Sequence, residues 1–157
     1  MRNNFAIAIL VTGLLLAAPA AGAAGNELSS EGAQLSIDQM LSIAEKQHEI
    51  ARLLIKEGRF DRVLPEMRKI LDLNLQGEYE QAVAKSAGFI AYLLAENKQY
   101  SLGHELLDET LAKMRLTQNV ASLLKIKAYI YKAEGKLGKA IETLERSVEI
   151  ERQQTQP

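Results

Sequence analysis

The sequence predicts an all-α chain, three helix–turn–helix hairpins stacked into a short right-handed solenoid. Three observations point there. Apolar residues recur at intervals of three and four: Leu124, Ala128 and Tyr131, then Leu137, Ala140, Ile141, Leu144 and Val148. That spacing puts each set on one face of a helix. Gly135 stands between the two runs, where a left-handed residue closes a helix C-terminus. The same frame then recurs upstream. Ala128-x-x-Tyr131-x-x-x-Gly135-x-Leu137-x-x-Ala140 is echoed by Ala51-x-x-Leu54-x-x-x-Gly58-x-Phe60-x-x-Val63 and by Ala91-x-x-Leu94-x-x-x-Lys98-x-Tyr100-x-x-Gly103.

The chain begins with a different pattern. Met1–Asn4 is polar with one positive charge, Phe5–Ala18 is apolar and uncharged, and Pro19 ends the run. Ala18-Pro19-Ala20 and Ala21-Gly22-Ala23 both fit a small-x-small cleavage site, so residues 1–23 read as a secretory signal peptide. Pro19 and the Ala/Gly-rich end favour cleavage over an uncleaved membrane anchor. The expected location is therefore periplasmic or secreted, with no membrane span after cleavage. Residues 24–35, rich in Gly, Ser, Asn and Glu, read as a flexible leader. The helical domain is expected over 36–153 and a short tail over 154–157.

Ser36-Ile37-Asp38-Gln39 is a capping box, in which Ser36 takes a free amide and Gln39 reaches back. A long helix is expected from there to about Glu57. Pro65 falls early in the following helix, where its missing N–H loses nothing, so that helix is expected to start at Asp61 or just after, with Asp61 as its cap. The residues after the leader number about 120, enough for one continuous core. There are no cysteines, so packing alone holds an exported fold of this kind. Losing Arg2 leaves 18 basic residues against 20 acidic ones. That balance gives no support for sequence-independent nucleic-acid binding, which needs a strong positive field, and no nucleic-acid partner is expected.

Residues 44–152 resemble the tetratricopeptide repeat family, a helix–turn–helix unit with a period of about 34 residues. With Gly135 on the family's turn glycine, the first-helix signature falls on Leu124, Lys127, Ala128 and Tyr131. The second-helix signature falls on Ala140, Leu144, Ser147 and Arg152. Lys127 departs from the family's Leu and Arg152 from its Pro. The offsets between turns are 40 residues from Gly58 to Lys98 and 37 from Lys98 to Gly135. Extra residues are therefore expected between hairpins, near Leu73–Glu78 and Leu116–Asn119.

No catalytic constellation emerges. His104-Glu105-Leu106-Leu107-Asp108 lies one residue from the zinc-protease pattern, in which two imidazoles one turn apart share a helix face. Here Asp108 replaces the second His, and no third ligand is near in sequence. Gly135-Lys136-Leu137-Gly138-Lys139 has the wrong glycine spacing for a phosphate loop, and Ala140 stands where Ser or Thr would hold magnesium. No Gly-x-Ser-x-Gly elbow accompanies a serine. The expectation is no enzyme, no cofactor and no metal, with a metal-dependent hydrolase as the remote alternative.

What remains is surface. The resemblance implies that first helices line a groove for a partner peptide. Its slots fall on Glu45, His48, Arg52 and Lys56, then Lys85, Gly88, Tyr92 and Glu96, then Ser122, Lys125, Tyr129 and Lys132. The candidate binding residues are Arg52, Lys56, Lys85, Tyr92, Lys125, Tyr129 and Lys132, and the expected partner is a protein or peptide, acidic or C-terminal. The alternative is a self-associating structural protein, a homodimer through the last helix, with Ile141, Val148 and Ile150 as the candidate contacts.

Overall fold

A computed structural model describes residues 35–155. The expected signal peptide, all but the last residue of the expected leader and the last two residues of the expected tail lie outside the described residues. Six helices follow one another: α1 (Ile37–Lys56), α2 (Val63–Asp72), α3 (Glu80–Glu96), α4 (Tyr100–Lys113), α5 (Thr117–Ala133) and α6 (Leu137–Thr155). Among the described residues there is no strand, and no helix is long and apolar enough to cross a membrane.

The helices pair as hairpins, α1 with α2, α3 with α4 and α5 with α6, and the first helices stack α1 on α3 on α5. The turns explain why. Gly58, Lys98 and Gly135 all take a positive φ, of 74°, 60° and 81°. Around each, the same pair of hydrogen bonds forms. Gly58 N–H donates to Ile55 and Arg59 N–H to Leu54; Lys98 N–H donates to Ala95 and Gln99 N–H to Leu94; Gly135 N–H donates to Lys132 and Lys136 N–H to Tyr131. This is the Schellman closure, which satisfies the last carbonyls of a helix while reversing the chain. The three sequence frames are thus three turns of one geometry.

Lys98 pays for that geometry with its Cβ, because a left-handed conformation crowds the carbonyl of an L-residue. Lys98→Gly is expected to raise stability by about 0.5–1 kcal/mol, and Gly135→Ala to lower it by about as much. Urea midpoints for the two variants check this, and a Lys98→Gly midpoint at or below that of the parent would refute it.

The N-terminal capping box forms as expected: Gln39 N–H donates to Ser36 Oγ at 3.2 Å and Ser36 N–H to Gln39 Oε1 at 2.9 Å. The start of α2 lies just after Asp61, but the cap expected from Asp61 does not form. Phe60–Arg62 is a 3₁₀ turn and α2 begins at Val63, with no side-chain cap from Asp61 or its neighbours. Phe60 packs against the core, and the tight turn that places it delays the α-helix by two residues. Pro65 is the third residue of α2, still within the first turn. The extra residues lie at Leu73–Gln76, which leads into a 3₁₀ turn at Gly77–Tyr79, and at Met114–Leu116, slightly earlier than expected. The last helix runs to Thr155, beyond the expected domain end at 153, with a Gln154 amide donating to the Thr117 hydroxyl.

The core is continuous from α1 to α5: Leu54, Val63, Met67, Ile70, Ile90, Leu94, Leu106, Leu107, Leu123 and Ile130 are all buried. The last hairpin packs differently from what periodicity implies. Of the apolar stripe on α6, only Ala140 is buried; Leu137, Ile141, Leu144 and Val148 are exposed. Ala140 and Ser147 face α5, and Ser147 Oγ donates to Ala121 O at 2.9 Å. Small residues let two backbones approach, so the larger apolar side chains are turned to the other side. Ile150, three residues beyond Ser147, lies on the α5 side and is half-buried; it is not part of the exposed stripe.

Candidate interaction surface

The first helices α1, α3 and α5 bring the candidate groove residues onto neighbouring elements. The face joins through aromatic contacts. His48 on α1 lies 5.8 Å from Phe89 on α3, ring to ring, and its Nδ1 is 2.7 Å from Ser86 Oγ. Tyr92 on α3 and Tyr129 on α5 stack at 5.1 Å between centroids, with both rings partly exposed. The pair was legible in the sequence, since the two tyrosines occupy the same slot of consecutive units. Tyr129 also donates its hydroxyl to Glu96. That bond to an anion holds the phenol well above its usual range, with burial adding to it.

The charged slots divide. Arg52 forms a bidentate pair with Glu49 on its own helix, at 2.8 and 2.9 Å. Lys125 reaches across to Glu151 on α6 at 2.6 Å. Both cations are neutralised within the chain. Lys56, Lys85 and Lys132 are exposed and form no ion pair or hydrogen bond among the described residues. Gly88 does not line a groove. It is buried where α3 and α5 come closest, and a Cβ there would lie 2.6 Å from Ile126 Cδ1.

The residues of the His-Glu-x-x-Asp stretch face separate partners. His104 stacks on Tyr131 at 4.2 Å and its Nε2 donates to Glu134 at 3.3 Å. Glu105 accepts from Arg68 of α2 at 2.9 Å, and Asp108 from Lys127 of α5. No group of three or more His, Cys, Asp or Glu side chains gathers around one point among the described residues. The Glu134 carboxylate can only accept, so Nε2 carries the imidazole hydrogen and the buried Nδ1 is a bare lone pair. Burial holds both histidines below their usual range; Glu134 offsets this in part for His104, as Glu49 does for His48.

A buried polar contact at the start of α5 was not visible in the sequence. Glu80, at the start of α3, is 1% exposed. Its Oε1 accepts from Arg115 N–H at 3.1 Å, Leu116 N–H at 2.8 Å and Asn119 Nδ2 at 3.0 Å. These donors surround the N-terminus of α5, so a carboxylate some 35 residues upstream acts as its cap. Burial pushes the Glu80 carboxyl up, but the three donors outweigh it and the net shift is downward.

Residues 123–154, which span most of α5 and nearly all of α6, match the family model of the tetratricopeptide repeat. The chain carries a tetratricopeptide repeat. Comparison with curated proteins and with solved structures returns no match. The tetratricopeptide match coincides with the third hairpin, the one whose turn is closed by Gly135. A tetratricopeptide repeat marks a protein–protein interaction module, and proteins built from such repeats are typically non-catalytic scaffolds.

Proposed function

We propose that this chain is an exported, non-catalytic adaptor that holds an acidic or C-terminal segment of a partner protein along the α1–α3–α5 face. On this reading the first two hairpins are diverged copies of the tetratricopeptide unit in the third. The observation that carries it is the exposed Tyr92–Tyr129 stack with unpaired lysines on its own helix faces. Lys132 lies one turn beyond Tyr129, and Lys85 lies two turns before Tyr92. Aromatic faces with nearby unpaired cations suit an extended anionic segment, because they supply contact area and attraction without first breaking an internal ion pair. Export rests on the layout of residues 1–23.

The test is a titration of labelled acidic peptides, with free and with amidated C-termini, against the purified protein. Lys85→Glu with Lys132→Glu is expected to weaken binding about tenfold or more, equal to about 1.4 kcal/mol or more. Lys125→Glu is expected to do less, since Lys125 is already paired with Glu151. Binding should also fall with added salt, because exposed charges are screened over about 8–10 Å near physiological ionic strength. Unchanged affinity in the double variant would retire this face as the binding surface.

A further inference from the structure

Every hairpin but the last carries a successor. On α2 the stripe Leu64, Met67 and Leu71 is buried, and α2 contacts both helices of the second hairpin. On α4 the matching positions are His104, Leu107 and Leu111, and this side meets α5, with His104 stacked on Tyr131 and Asp108 paired with Lys127. In the register that aligns Gly58, Lys98 and Gly135, the same positions on α6 are Ile141, Leu144 and Val148. They are 57%, 45% and 43% exposed. The slot that takes a first helix is repeated, and here it is open.

The other end of the stack has the complementary feature. Ile50 and Leu53 on α1 correspond to Ile90 and Leu93 on α3 and to Lys127 and Ile130 on α5. Ile90 and Ile130 are fully buried, whereas Ile50 and Leu53 are 40% and 47% exposed. One end therefore offers a helix face and the other end a seat for one.

We infer that copies of this chain associate head to tail, α6 of one copy receiving α1 of the next as α4 receives α5 within the chain. The charges agree with that register. Laying α1 on α6 as α5 lies on α4 sets Ile50 beside Glu145, in the places of Lys127 and Asp108. Lys46, one turn before Ile50, takes the place of the buried Leu123, and Glu149, one turn after Glu145, takes that of Ala112, at the same level of the two helices. Lys46 and Glu145 are exposed and form no ion pair among the described residues, and Glu149 accepts only an amide hydrogen bond from Gln153. A symmetric pairing of α6 with α6 would cover one end and leave Ile50 and Leu53 in water. Head-to-tail contact covers both, and it does not close after two copies.

The absence of cysteine makes the test direct. Lys46→Cys and Glu149→Cys are placed in separate full-length chains, mixed, and treated with a short bismaleimide. The mixture is expected to yield crosslinked dimer about tenfold above either variant alone, because association raises the effective concentration of the two thiols. The double variant is expected to give a ladder of dimers, trimers and longer species, lost on adding Ile141→Glu and Val148→Glu. Circular dichroism confirms that each variant is folded. Glu149→Cys crosslinking to itself as well as it does to Lys46→Cys would overturn the inference in favour of a symmetric dimer. So would a weight-average mass in sedimentation that stays at that of one chain, or stops at twice that, up to several hundred micromolar. The lysine reversals on the α1–α3–α5 face are expected to leave the ladder intact, so failure of peptide binding and failure of association are separable.

Discussion

Replacing Glu80 with alanine is expected to destabilise the protein by about 2–4 kcal/mol, the larger of two predicted stability losses. The substitution strands two backbone N–H groups and the Asn119 amide, all of which converge on one buried oxygen. Hydrogen bonds to a charged group contribute about 1.5–3 kcal/mol each and do not add in full, because the freed donors relax together. Glu80→Gln keeps an acceptor but removes the charge at the N-terminus of α5, so it should cost less, about 1–2 kcal/mol. The pH dependence has a definite sign. The folded carboxyl titrates below its unfolded range, so the stabilisation is present above that range, about pH 4.3, and is lost as pH falls through the folded value. Glu80→Gln should flatten this acid limb. Urea denaturation near neutral pH and again in the carboxylate range measures both effects. An alanine variant as stable as the parent at neutral pH would show that the α4–α5 connection closes without this contact.

Gly103→Val is the second large effect, expected at about 2–3 kcal/mol. Gly103 lies in the interior of α4, where a glycine is otherwise a liability. It is there for room. A Cβ would lie 3.0 Å from Ile130 Cδ1 on α5 and 3.3 Å from the Ala91 carbonyl on α3. The isoleucine tip can rotate, but the carbonyl belongs to a helix backbone and cannot move without its neighbours. A valine adds two more carbons to the same gap, where α3, α4 and α5 meet. Gly138, near the start of α6, is the control: nothing lies within 4 Å of its Cβ position, and Gly138→Val should change stability by less than about 0.5 kcal/mol. Thermal or urea midpoints for the pair decide it. Equal losses at both sites would mean that helix propensity, and not crowding, sets the cost.

These two residues show where stability concentrates in a stack without disulfides. Glu80 and Gly103 both act at the seam between the second and third hairpins. The third hairpin is the one that matches the tetratricopeptide model, yet it is held to the rest by a carboxylate that no repeat pattern singles out, together with a glycine at the frame position that Ala140 holds in α6. Weakening the seam should loosen α5, and with it Tyr129, from its place beside Tyr92.

The sequence by itself determined the helical hairpins, their order and their turns. Helix periodicity and Schellman turns are local, set by residues within a few positions of one another, and a recurring Gly58–Lys98–Gly135 frame reports them directly. The capping box at Ser36 and the shared slot of Tyr92 and Tyr129 were readable for the same reason. Only the tertiary structure decided which face of each helix is inside. On α6 the largest apolar stripe points outward, because α5 is met by Ala140 and Ser147; the 3.6-residue period marks a face but cannot say what covers it. Charge was equally undetermined. Arg52 and Lys125 read as binding cations until Glu49 and Glu151 are found beside them, while Lys56, Lys85 and Lys132 stay unpaired among the described residues. Glu80 read as one more surface carboxylate, since its donors lie some 35 residues away, and only the folding of one helix end onto another brings a buried charge and its three N–H groups to the same point.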